Sequence, residues 1–162
     1  MRINGILTDS LIDGPGVRLV VFTQGCTWDC AGCHNPSTHS LSGGYEISIA
    51  KILKHISPLT TGITISGGEP TLQLAEVEVL LSEAKSARLD TMVYSGATEY
   101  RGDPELVDYL KLGPYVASVR NTTLPYRGSE NQKLFKKEGN TFELYYPEEA
   151  ITDRIQRISR DR

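Results

Sequence analysis

The stretch Val17-Arg18-Leu19-Val20-Val21-Phe22-Thr23 runs, after Gln24, into Gly25-Cys26-Thr27-Trp28-Asp29-Cys30-Ala31-Gly32-Cys33-His34. Its first half is β-branched and apolar and reads as a strand. Its second half holds Cys26, Cys30 and Cys33, the only three cysteines of the chain. An odd number of cysteines is a poor disulfide framework. Three thiols so close together, with none elsewhere, point to one shared ligand.

The three thiols admit four readings. A redox pair at Cys30 and Cys33 leaves Cys26 unexplained. Cys30-Ala31-Gly32-Cys33-His34 fits the c-type haem pattern, but the only methionines available as a second axial ligand are Met1 and Met92. Structural zinc would take the three cysteines plus a histidine. His34 adjoins Cys33 awkwardly, and His39 or His55 would have to serve, so zinc stays open. A [4Fe–4S] cluster usually takes four cysteines. With three, one iron lacks a protein thiolate and offers a coordination position to another molecule. The spacing C-x3-C-x2-C lets one short loop wrap three corners of a cube.

Outward from this loop, strand and helix patterns alternate. Gly62–Ser66 reads as a short buried strand, followed by Gly67-Gly68-Glu69-Pro70. Thr91–Ser95, Tyr115–Val119 and Thr141–Tyr146 read as further strands. Glu46–Ile56, Leu72–Arg88, Pro104–Leu112 and Glu148–Ile158 carry apolar residues at helical spacing or, for Pro104, a proline where helices begin. Asp13-Gly14-Pro15-Gly16 is a turn, and Ser37–Gly44 a polar loop. Alternation predicts a parallel sheet with right-handed crossovers. Sites in such sheets lie at the C-terminal strand ends. The cysteine loop, Ser66–Pro70 and Tyr94–Gly96 would then converge on one edge.

Composition bounds the function. At 162 residues the chain is expected to be one domain, with no linker or repeat. No apolar run approaches the ~18 residues of a membrane span, and Asp9, Asp13 and Arg18 break any leader-like block, so a cytoplasmic setting is expected. The net charge of −3 argues against a general nucleic-acid binder. One stretch runs against it: Arg120, Arg127, Lys133, Lys136 and Lys137 against Glu130, a solvated face or a docking surface.

These residues resemble the radical S-adenosylmethionine (SAM) superfamily, whose hallmark is C-x3-C-x2-C. The chain is closer to the activating enzymes of glycyl radical enzymes. It shares their lead-in Asp13-Gly14-Pro15-Gly16-Val17-Arg18, the run Phe22 to Cys26, and Cys33-His34-Asn35. Arg127-Gly128-Ser129-Glu130-Asn131-Gln132 is similar to the anaerobic ribonucleotide reductase activating proteins. The resemblance spans roughly Asp13 to Gln132. It departs at Gly32, at Leu112-Gly113-Pro114 and at Tyr94-Ser95-Gly96-Ala97, where an aromatic, an acid and a T-G-Y version are common.

The resemblance implies an α/β fold: a single-domain, incomplete and laterally open TIM-type βα barrel with mostly parallel strands, spanning 1–162. It implies a [4Fe–4S] cluster on Cys26, Cys30 and Cys33, with SAM chelating the fourth iron. Ser66, Gly67, Gly68, Glu69, Tyr94, Ser95, Trp28 and Asn35 are then the cofactor-binding residues. The glycines allow close backbone approach, and Glu69 accepts hydrogen bonds from the SAM ammonium group. Read alone, Gly-Gly-Glu-Pro is an ordinary turn with a surface acid. No side chain is implied as catalytic, because cluster and SAM carry the chemistry. A low-potential donor such as flavodoxin would reduce the cluster. SAM would be cleaved, and hydrogen removed from a glycine of a partner enzyme, anaerobic ribonucleotide reductase first among candidates. An activase of another glycyl radical enzyme is the neighbouring expectation, as is a small radical SAM enzyme of the deazapurine-forming type. A non-catalytic cluster or zinc module is the third class. A homodimer is also expected, with neither nucleic acid nor membrane as partner.

Overall fold

The computed structural model describes residues 1–147. The helix expected over Glu148–Ile158 lies outside them. One eight-stranded sheet organises the described residues, in the order β3-β1-β2-β4-β5-β6-β7-β8. The strands are β1 (Arg2–Ser10), β2 (Arg18–Thr23), β3 (Tyr45–Glu46), β4 (Gly62–Gly67), β5 (Asp90–Ser95), β6 (Tyr109–Leu112), β7 (Lys133–Glu138) and β8 (Thr141–Leu144). The helices are α1 (Ile49–Leu53) and α2 (Leu74–Ser86). Strands β2, β4, β5 and β6 are mutually parallel, and the flanking strands pair antiparallel. The sheet is therefore mixed, with a parallel centre.

Strand residues alternate between two faces, and the two faces differ in chemistry. Leu19, Val21, Ile63, Ile65, Val93, Leu110 and Leu112 share one face and join Val77, Leu80, Leu81 and Ala84 of α2 in a single apolar core. Full burial of each such side chain is worth roughly 1.5–3 kcal/mol. The opposite face forms three rows set by the parallel register. Arg18, Gly62 and Asp90 make the base row. Val20, Thr64, Met92 and Tyr109 make the middle row. Phe22, Ser66, Tyr94 and Lys111 make the top row, next to the cysteine loop.

The Asp13–Gly16 turn folds over this second face. Asp13 O accepts from Thr64 Oγ1 at 2.8 Å. Gly14 has φ +142°, and a Cβ there would stand 2.9 Å from Met92 Sδ, so glycine lets the turn lie on the middle row. Arg18 is fully buried beneath it. Its guanidinium donates to Thr64 Oγ1 (3.0 Å), Ile63 O (2.6 Å), Pro15 O (3.2 Å) and the Asp90 carboxylate. The lead-in motif thus has a structural job: its arginine crosses Gly62 and ties the turn to three strands.

Several expectations are corrected. Pro104–Leu112 is not a helix; a 3-10 turn at Pro104–Leu106 leads into β6. Tyr109 and Lys111 alternate with Leu110 and Leu112, and both neighbours of β6 offer strands to pair with. Tyr115–Val119 is no strand; only a 3-10 turn forms at Ala117–Val119. Glu46–Ile56 splits into the end of β3 and the short α1, and Leu72–Arg88 begins as a 3-10 turn at Pro70–Gln73. Purely alternating βα units are replaced by a mixed sheet with few helices.

Candidate active site

Parallel pairing brings the C-terminal ends of β2, β4, β5 and β6 to one edge. The segments that follow them line a cavity of about 110 Å³. Cys26, Cys30 and Cys33 stand on it, with Trp28, Asn35, Ser66, Gly67, Gly68, Tyr94 and Ser95. Of the residues expected from sequence, Glu69 alone lies behind the wall, 2% exposed.

The start of the cysteine loop is tied by backbone hydrogen bonds to the segment that follows the loop. Gly25 N donates to Thr38 O (2.8 Å) and Cys26 N to His39 O (3.2 Å). Across the edge, Gly68 N donates to Thr23 O (2.9 Å) and Glu69 N to Gly25 O (2.8 Å). Gly67 has φ +97°, and a Cβ would come within 2.7 Å of the β2 backbone at Phe22 and Thr23. A Cβ on Gly68 would stand 2.1 Å from Gly25 O, so glycine is required there for the turn after β4 to lie against the cysteine loop.

All three cysteines are free and partly buried. Burial pushes the Cys26 thiol above its usual range, against a lowering contact from the Trp28 backbone, and Glu69, Cys30 and Cys33 add to the rise. Asn35 N donates to Cys33 Sγ at 3.4 Å. Asn35 also precedes the 3-10 turn Pro36–Thr38, but its side chain makes no capping bond. His34 packs on Tyr115, ring centroids 4.9 Å apart, instead of joining the thiols. Among the described residues, no three His, Cys, Asp or Glu side chains gather as ligands for a single metal ion. Three free thiols on one cavity, without a fourth, fit a cubane with one open corner.

Sequence reading missed Lys111, because the helix expected over Pro104–Leu112 hid its position. The β6 register sets it opposite Tyr94. Its Nζ lies 4.4 Å from the centre of the Tyr94 ring. Among the described residues it is the one Lys or Arg lining the cavity. Burial pushes its pKa down to about 8, with Cys33, Glu69 and Cys30 pulling it back up. The Tyr94 hydroxyl is buried without a hydrogen-bond partner among the described residues, and burial pushes its pKa far above the usual tyrosine range.

The Arg127–Gln132 motif frames the far wall. Gln132 accepts from Gly128 N (2.8 Å) and donates to Gly113 O (3.1 Å). Asn131 Nδ2 donates to Pro114 O (2.8 Å), and Val116 N donates to the buried Ser129 Oγ (3.2 Å). Ser129 caps no helix; the motif stitches itself to the segment after β6. The basic stretch is partly neutralised: Lys136 pairs with Glu138 (2.6 Å) and Lys137 with Glu105 (2.7 Å).

Residues 12–135 match the family model described as a 4Fe–4S single cluster domain. The chain belongs to that family. Membership carries the cofactors that go with the three-cysteine motif, a [4Fe–4S] cluster and SAM. A pyruvate formate-lyase-activating enzyme of Clostridium pasteurianum is 34% identical over 118 residues, covering 68% of this chain and 50% of that protein. One from Listeria monocytogenes is 33% identical over 116 residues, covering 67% and 47%. The chain thus spans about half the length of these relatives. The crystal structure of QueE from Escherichia coli shares the fold, with a TM-score of 0.54 and 16% identity over 72% of this chain and 60% of that one.

Proposed function

We propose that this chain is a radical SAM activase that generates a glycyl radical on a partner enzyme, anaerobic ribonucleotide reductase. The observation that carries the reading is the single cavity where three free thiols, the Ser66–Gly68 turn and Lys111 meet. Cys26, Cys30 and Cys33 would hold the cluster. Gly67 and Gly68 let the backbone approach SAM, and Lys111 offers a cation to its carboxylate. Ser66, Tyr94 and Asn35 shape the remaining wall. Bound and reduced, cluster and SAM supply one-electron, hydrogen-abstracting chemistry, and the chain's own residues position them and exclude water. A low-potential donor such as flavodoxin supplies the electron in this reading.

We read the sheet as a laterally open partial βα barrel. Beside the cavity lies an open groove of about 490 Å³, bounded by Leu11, Ile12, Asp13 and the 122–127 segment. Tyr94 lines both spaces. Leu11 and Ile12 are 70% and 79% exposed at its rim. Such a groove admits a loop of another protein. The Arg127–Gln132 motif, which frames the cavity wall, favours the reductase as that protein. The relatives' names favour a second reading, with pyruvate formate-lyase as partner.

The test is anaerobic reconstitution, reduction, and incubation with SAM and either purified partner, read by EPR. A glycyl radical signal on the reductase and none on the lyase is expected. Signal on the lyase alone replaces the partner. Cleavage of SAM with neither partner activated overturns the activase reading.

A further inference from the structure

Glu69 is the buried acid of the cavity edge, and its partners assign it a role other than ligand contact. Oε1 accepts from Thr71 N (3.1 Å), Thr71 Oγ1 (2.8 Å) and Ser95 Oγ (2.9 Å). Oε2 accepts from Trp28 Nε1 (2.9 Å) and Gly96 N (2.9 Å), and shares Ser95 Oγ (3.0 Å). A carboxylate offers about four lone-pair sites. Five donor groups fill them, which leaves none for the ammonium group of a ligand.

The donors come from three segments. Trp28 belongs to the cysteine loop, Thr71 follows the turn after β4, and Ser95 ends β5 with Gly96 just after it. The indole also lies on Gly96, where a Cβ would stand 2.7 Å from Cδ1 of the ring. We propose that Glu69 is a positioning residue that clamps the cysteine loop, through Trp28, to the turns after β4 and β5. It thereby sets where the three thiols stand relative to the rest of the cavity. Only a carboxylate serves. Each oxygen faces a fixed backbone N–H, Thr71 on one side and Gly96 on the other. A glutamine amide would point its NH2 at one of them whichever way it turned.

The inference rests on the activase reading for its consequence but not for its first readout. Trp28 is the only tryptophan, so emission of the cluster-free chain reports this contact directly. In Glu69→Gln the emission should move away from its wild-type wavelength as the indole N–H loses its charged acceptor. Iron retained after reconstitution should fall roughly ten-fold, the factor one charged hydrogen bond commands. Trp28→Phe, which keeps the ring shape and removes the N–H, should lower iron retention in the same direction. The double variant should lose less than the product of the two single losses. Unchanged emission and iron content in Glu69→Gln, with SAM binding alone weakened, would return Glu69 to the ligand and overturn the proposal. So would wild-type iron retention in Trp28→Phe, which stays decisive if Glu69→Gln does not fold. Failure to activate any partner, with these shifts present, would count against the activase reading and leave the clamp standing.

Discussion

The base and the top of one sheet face handle polar groups in opposite ways. At the base, Arg18 is fully buried and its guanidinium nitrogens all find acceptors among Thr64, Ile63, Pro15 and Asp90. At the top, Lys111 has no ion-pair partner and the Tyr94 hydroxyl no hydrogen bond among the described residues. Buried polar groups are normally satisfied, and each exception needs a reason. The base is finished by the chain itself. The top keeps its polar groups uncommitted where a charged cofactor belongs. In the reading proposed above, the contrast separates residues that hold the frame from residues left to meet a ligand.

The largest effect should come from breaking the base. Arg18→Met leaves two buried carbonyls and Thr64 Oγ1 without their donor, while Asp90 is screened by solvent, and should cost roughly 2–3 kcal/mol. Thermal melting should fall by about 5–10 °C, measured by circular dichroism on the cluster-free chain. A loss confined to SAM cleavage, with melting unchanged, would erase the distinction between base and top.

Lys111→Met should do the reverse. Stability should hold or rise, while SAM affinity falls roughly ten-fold, measured by equilibrium binding to the loaded protein. A pH series sharpens this. Burial lowers the Lys111 pKa to about 8 in the folded chain, against ~10.4 when unfolded. Between those values the unfolded state binds more protons, so wild-type stability rises as pH climbs through that window. Urea unfolding of Lys111→Met should lack that rise.

The smallest effect is expected at Tyr94→Phe. Removing an unsatisfied hydroxyl should raise stability by about 1 kcal/mol. A loss of that size instead would show that the hydroxyl has a partner in solution, and would weaken the picture of an uncommitted top row.

Much of this arrangement was legible in the residues. Val17–Thr23, Gly62–Ser66 and Thr91–Ser95 are β-branched runs that stop at turn residues, and they form β2, β4 and β5 almost as bounded. Their ends converge as parallel strands require. Strand β1 was hidden because Asn4, Gly5, Thr8 and Asp9 interrupt its apolar pattern; it pairs through two register shifts. Strand β6 was hidden because Pro104, Leu106 and Leu110 imitate a helix start, while long-range pairing on both sides decides the outcome. The environment of Glu69 had no local signal: Trp28 and Ser95 lie 41 and 26 residues away in sequence.

The central claim is that the three thiols hold a cluster whose fourth corner faces the uncommitted top row. The most direct test is iron, sulfide and zinc content after anaerobic reconstitution, with low-temperature EPR of the reduced protein before and after SAM is added. About four irons per chain and a spectrum altered by SAM are expected. One tightly held zinc, and a protein indifferent to SAM, would contradict the account.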